Sequence, residues 1–167
     1  MEESPRLLRH FLATLAYRTQ KALHDSPESF DSFRAAPGVR TPHELLRHMT
    51  SVLGFARARL GGGTYRAELL PTFQEEVARF HATLADLSEC IASAEFKDVR
   101  PENLLQGPLA DAMTHAGQLA MLRRLGGSPV PPENFIVADI TAENVGPDQP
   151  RPRSPDPEWY EAEDEPK

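Results

Sequence analysis

The chain has 167 residues, 40% hydrophobic and 26% charged, a composition that suits one globular domain with a core of its own. A formal net charge of −7 sets aside a role in gripping nucleic-acid phosphates, which takes dense Lys and Arg. Cys90 is the only cysteine, so neither an internal disulfide nor a multi-cysteine zinc site can be built, and any metal must be held by His and carboxylate side chains.

Leu7, Leu8, Phe11, Leu12, Leu15 and Leu23 recur at helical spacing behind a Ser4-Pro5 start signal, which predicts a first helix over Leu7 to Leu23. Arg9, His10, Arg18 and Gln20 interrupt this stretch, so it is neither a signal-peptide core nor a membrane span, and cytoplasmic residence is the expectation. Asp25 to Arg40, with Pro27, Pro37 and Gly38, reads as a long connection. Thr41-Pro42-His43-Glu44 then supplies an N-cap, a proline at the first helical position and the acid of a capping box. The second helix is expected from Pro42 to Leu60, stopped by Gly61-Gly62-Gly63, with Leu45, Leu46, Met49, Val52, Leu53, Ala56 and Leu60 facing inward.

A third helix is expected to begin near Pro71 or slightly earlier and to bury Phe73, Val77, Phe80, Leu84, Leu87 and Ile91. The fourth runs from Pro101 to Leu125 before Gly126-Gly127; apolar residues nearly encircle it, which predicts burial on almost every side. Past Ser128 come Pro-Val-Pro-Pro, a short Phe135 to Ala138 run and a proline-rich acidic tail, irregular from Asp148. Residues 1–130 thus read as an all-α four-helix bundle, and 131–167 as a C-terminal extension packed on the bundle or partly disordered.

Asp111 and His115, four residues apart, share one face of the fourth helix, with Gln118 next and with Leu104 and Leu122 continuing the stripe. A carboxylate and an imidazole in an apolar stripe lose water on folding and need a partner. His48 lies between Leu45 and Val52 at helical spacing and is expected to point inward as well. Two imidazoles and a carboxylate converging from two helices suit one divalent cation and leave positions open for water or substrate. Such a cation acidifies water or holds a thiolate, so hydrolysis and thiol transfer both stay open, with Asp111 as a catalytic base.

Blander readings stand beside this one. His48 alone is a core histidine, Asp111 with His115 a surface ion pair worth roughly a few tenths of a kcal/mol, and the three together a metal-free polar cluster. Gln118 either hydrogen-bonds a ligand or packs between helices. His10, His24, His43 and His81 are expected partly exposed and away from the site, Cys90 a small buried apolar residue, and Arg123 and Arg124 cations at a helix C-terminus. The acidic tail either solvates or closes over the site, anchored by Trp159-Tyr160.

RTPHELLRHMTSVLGFARARL (Arg40 to Leu60) and PLADAMTHAGQLAMLRRLGGSPV (Pro108 to Val130) resemble the DinB superfamily of bacterial metal-binding four-helix bundles in order, in spacing and in the H-x-G-Q-L run at His115 to Leu119. The resemblance spans roughly Leu7 to Val130. It implies a bundle with one long crossover connection, a metal held by three side chains, and a homodimer. In members whose chemistry is understood it implies transferases and isomerases that use low-molecular-weight thiols such as mycothiol or bacillithiol. The family's helix-two histidine falls on His48 and the second histidine of its H-x-x-x-H pair on His115. The first of that pair falls on Asp111, a departure that keeps a ligand but adds negative charge. Zinc, nickel, iron and manganese all fit such donors. The expected function is a metal-dependent hydrolase or thiol transferase acting on a small-molecule substrate; the alternative is a non-catalytic, metal- or small-molecule-binding dimeric bundle.

Overall fold

The computed structural model describes residues 3–155. Within them the chain is all-helical, with no strand and one isolated bridge, between Glu133 and Pro155. Helix α1 spans Glu3–Leu23. It starts four residues before Leu7 because Glu3 supplies the first-turn acid and Pro5 lies where its missing N–H costs nothing. Helix α2 spans Pro42–Gly61. Thr41 Oγ1 accepts from the Glu44 amide at 3.2 Å and Glu44 Oε2 accepts from the Thr41 amide at 2.8 Å, closing the expected capping box. Helix α3 spans Phe73–Ser93, two residues beyond Pro71, because a second capping box, Thr72 with Glu75, sets its start.

The fourth segment is interrupted: α4 covers Pro101–Leu104, a π turn covers Leu105–Leu109, and α5 covers Ala110–Leu125. Pro108 sits inside the π turn. A proline there has no amide to donate and its ring crowds the carbonyl a turn earlier, and the wider turn accommodates both.

Helices α1 and α3 are antiparallel, joined by Arg9 Nε to Ser88 Oγ (3.1 Å) and by the Gln20 and His81 side chains (3.2 Å). Helices α2 and α3 run parallel: the His43 and Phe73 rings meet at their starts (5.8 Å), and Gly61 lies against the Cys90 sulfur at their ends. Parallel neighbours need a return crossover, and residues 62–72 provide it. Tyr65 lies on Gly54, and Ala67 O accepts from Arg47 Nη1 at 3.2 Å. Helix α5 returns antiparallel to α2 and ends beside the end of α1, where Arg123 Nη1 donates to the Ala22 and His24 carbonyls (2.9 and 2.8 Å). The long helices therefore run up, down, down, up around one core that includes Leu12, Leu15, Leu46, Met49, Leu53, Phe80, Leu84 and Leu119.

The fourth segment is not buried on almost every side. Leu105, Met121 and Leu125 are 43%, 56% and 58% exposed. Helix α5 packs chiefly on α1 and α2, so one arc of its surface is covered and the opposite arc faces water. The π turn also advances the register by about one residue, and the buried Leu104 precedes it while the exposed Asp111 follows it.

Residues 131–155 pass over the helices with a single 3-10 turn at Phe135–Val137. Glu133 and Val145 are buried against the helices; Tyr17 Oη donates to Glu133 Oε1 at 2.6 Å, and Lys21 pairs with Glu133 Oε2. Trp159 and Tyr160 lie outside the described residues. Among the described residues no helix is long and apolar enough to cross a membrane.

Candidate metal centre

Antiparallel packing of α2 on α5 sets the seventh residue of α2, His48, against the first turns of α5, which carry Asp111 and His115. The two imidazoles meet edge to face, with ring centroids 4.8 Å apart. His115 Nε2 lies 3.4 Å from Asp111 Oδ1, and His48 Nε2 lies 3.8 Å from Asp111 Oδ2. One ligand atom from each residue falls within 4.8 Å of the others. Bonds of about 2.0–2.2 Å to a common cation place neighbouring donors about 3–3.5 Å apart. The three residues could therefore hold a metal ion with a small inward adjustment.

The centre is at the rim of the α2–α5 seam and not in the core. The Asp111 side chain is 48% exposed and that of His48 29%, against 10% for His115. Helical spacing predicted an inward-pointing His48; the side chain meets α5 instead on a partly exposed face that borders the seam. An open rim lets the carboxylate stay hydrated without a partner, and it leaves one side of the cluster accessible to a ligand.

Gln118 stands one turn beyond His115, with Oε1 2.8 Å from Nδ1. With Nδ1–H donating to that carbonyl, Nε2 keeps its lone pair and is the atom that faces Asp111. His48 is held below the usual imidazole range by burial first, then by Arg40, His115 and Arg47, with Asp111 opposing them. Near neutral pH it is an unprotonated donor, as a ligand must be. Arg40 is a residue that the spacing argument passed over. Its signal was positional, directly before the cap of the histidine-bearing helix.

The remaining histidines stand apart from these three. His10 and His24 are exposed, His24 beside Asp25 at 2.8 Å; His43 packs on Phe73. His81, expected to be partly exposed, is 5% exposed instead: Nδ1 donates to Val145 O at 2.7 Å under residues 131–155. Cys90 is only partly buried, because the end of α3 borders a cavity of about 300 Å³. Arg123 serves the carbonyls of α1 as well as Ser128 O beyond its own helix (2.8 Å). A cavity of about 520 Å³ lies beside it, between α1 and residues 147–152, and none of the three ligands lines it. Its two most enclosed cations are already engaged, Lys21 by Glu133 and Arg123 by backbone carbonyls.

No protein-family model, no curated protein and no solved structure matches this chain.

Proposed function

We propose that this chain is a four-helix bundle of the DinB type and a metal-dependent enzyme, with one divalent cation, zinc, nickel, iron or manganese, held by His48, Asp111 and His115. The observation that carries the reading is the meeting of three ligand atoms within 4.8 Å at an open rim. The crossover at residues 62–72 agrees with the one long crossover that the resemblance implies. When bound, the cation supplies Lewis acidity, acidifying a water or a thiol that reaches it.

The chain's own residues do the rest. Gln118 fixes the tautomer and tilt of His115, burial keeps His48 unprotonated, and Asp111 is placed to accept a proton from an incoming nucleophile. The reaction class is hydrolysis or transfer of a low-molecular-weight thiol onto a small-molecule substrate. A second reading, a non-catalytic binding module that works as a homodimer, draws on Phe55 and Met121, 58% and 56% exposed on the two helices that carry the site.

Elemental analysis of protein purified without a nickel column tests the metal, with near-stoichiometric content expected in the wild type and none in His48→Ala of unchanged helicity. Full occupancy in that variant, or no uptake by the wild type, overturns the assignment. Turnover of ester or thiol-acceptor substrates that stops on chelation separates the enzyme from the binding module.

A further inference from the structure

We propose that the cavity between α1 and residues 147–152 binds an aromatic monocarboxylic acid, its ring against proline walls and its carboxylate between Lys21 and Arg151. None of the three metal ligands lines this cavity, so the proposal stands apart from the metal reading.

At about 520 Å³ the cavity has the size of a small-molecule site. Pro129 and Pro131, which follow α5, line it together with Pro147, Pro150 and Pro152 of the covering segment and with Tyr17 of α1. A proline carries no amide hydrogen and its φ is fixed. These walls therefore offer flat hydrocarbon, few donors and little freedom to lose when a ligand arrives. The covering segment is also held from beneath and within. Val145 O accepts from the buried His81 Nδ1 at 2.7 Å, and Gln149 Nε2 donates to Gly146 O at 2.6 Å and to Asn144 Oδ1 at 3.2 Å. Preformed, flat and apolar walls suit an aromatic ring.

The charges decide what that ring carries. Arg123 directs its N–H bonds to uncharged oxygens, the carbonyls of Ala22, His24, Asp25 and Ser128 and the Ser128 hydroxyl. Its charge is offset by those dipoles, and no donor is left for a ligand. Lys21 is neutralised by Glu133, but that pair uses one N–H of an ammonium that has three. Among the described residues the other two meet no acceptor, although the side chain is only 12% exposed. Spare donors on an enclosed ammonium call for an oxygen acceptor. Asp25, the carboxylate of the lining, is 86% exposed beside His24 and stays hydrated.

Arg151 completes the lining from the covering segment. It is exposed, and among the described residues no hydrogen bond or ion pair engages it. The cavity thus has one uncompensated positive charge, on Arg151, and spare donors on Lys21. One carboxylate satisfies both, since its oxygens match the planar fork of the arginine and keep lone pairs for the ammonium. A dianion would bring more charge than the cavity balances.

The test is isothermal titration of the full chain with 2-naphthoate, with 2-naphthylmethanol as the uncharged control and acetate as the ringless one. Naphthoate should bind about fivefold or more tightly than either control, and equally well with and without added zinc. Arg151→Gln, at an exposed position that leaves the fold intact, should remove the preference over the alcohol, and Arg151→Glu should reverse it. No saturable binding of naphthoate, an equal affinity for either control, or a preference that survives Arg151→Gln overturns the proposal. Binding that appears only with zinc places the carboxylate on the metal, which also overturns the proposal and leaves the metal reading standing.

Discussion

Gln118 Oε1 lies 2.8 Å from His115 Nδ1, and His115 Nε2 in turn lies 3.4 Å from Asp111 Oδ1. The amide decides which ring nitrogen is free. Removing a hydrogen-bond partner of a ligating imidazole typically weakens metal binding about 10- to 100-fold. Gln118→Leu should bind zinc about tenfold more weakly than the wild type, while the metal-free proteins melt alike because Gln118 is exposed. Gln118→Glu should keep the affinity. Competition against a chromophoric chelator measures this, and equal affinity in the leucine variant removes Gln118 from the centre.

Gly54 and Tyr65 are matched by absence of a side chain: a Cβ on Gly54 would stand 2.1 Å from Tyr65 Cδ1. The ring also reaches Thr83, with the two hydroxyls 3.4 Å apart, so it links the crossover to α3. Gly54→Ala should cost about 1–3 kcal/mol by overpacking. The same change in a Tyr65→Ala background should cost much less, since the clash partner is gone. Urea unfolding of the four proteins closes this cycle, and additive losses would show that the ring does not press on Gly54.

What could be read beforehand divides along local and non-local lines. The capping box at Thr41 and Glu44 and the glycines after Leu60 mark α2 because their chemistry is complete within a few residues. Thr72 and Glu75 carry the same local signal for α3, which the apolar spacing alone placed two residues early. Helical periodicity was enough to pair His48 with Asp111 and His115, since each residue's face follows from its position. The exposure of that face did not follow, because it depends on which neighbours flank α5 and on the phase shift at Pro108. His81 shows the same limit. Nothing within α3 encodes that Val145, 64 residues later, will lie over the imidazole.

Glu133 is a buried carboxylate held by two α1 residues, Tyr17 and Lys21, whose pairing docks residues 131–155 on the helices. Burial and the Glu133 carboxylate push the Tyr17 phenol well above its usual range, so it remains a hydrogen-bond donor throughout ordinary pH. Phe135 adds to the clasp, edge to face with Tyr17 at 6.2 Å and beneath the Arg18 guanidinium at 3.7 Å. Glu133→Ala strands an ammonium whose side chain is 12% exposed and should lower stability by about 2–4 kcal/mol. Tyr17→Phe should lower it by about 1–2 kcal/mol, and the double variant should lose less than the sum. Hydrogen exchange should show faster exchange in residues 131–155 for both single variants; protection equal to wild type would show that the clasp does not hold this segment.

His81 makes stability fall with acid. Burial is the main cause that lowers its pKa in the folded chain, partly offset by the hydrogen bond to the Val145 carbonyl and by Asp148. The imidazole is 5% exposed, with Gln20 Oε1 3.2 Å from Nε2 and the Phe80 ring beside it. A folded pKa below the unfolded value of about 6.5 means that the unfolded chain binds the extra proton first. The His81 contribution is therefore complete above about pH 6.5 and declines as pH falls from there toward the lower folded value. His81→Asn keeps an N–H near the position of Nδ1 but cannot titrate. The wild type should lose stability relative to this variant between about pH 6.5 and pH 5, before most carboxylates protonate. Urea midpoints at matched ionic strength measure the difference, and a gap that stays constant with pH would show that His81 takes up its proton as readily folded as unfolded.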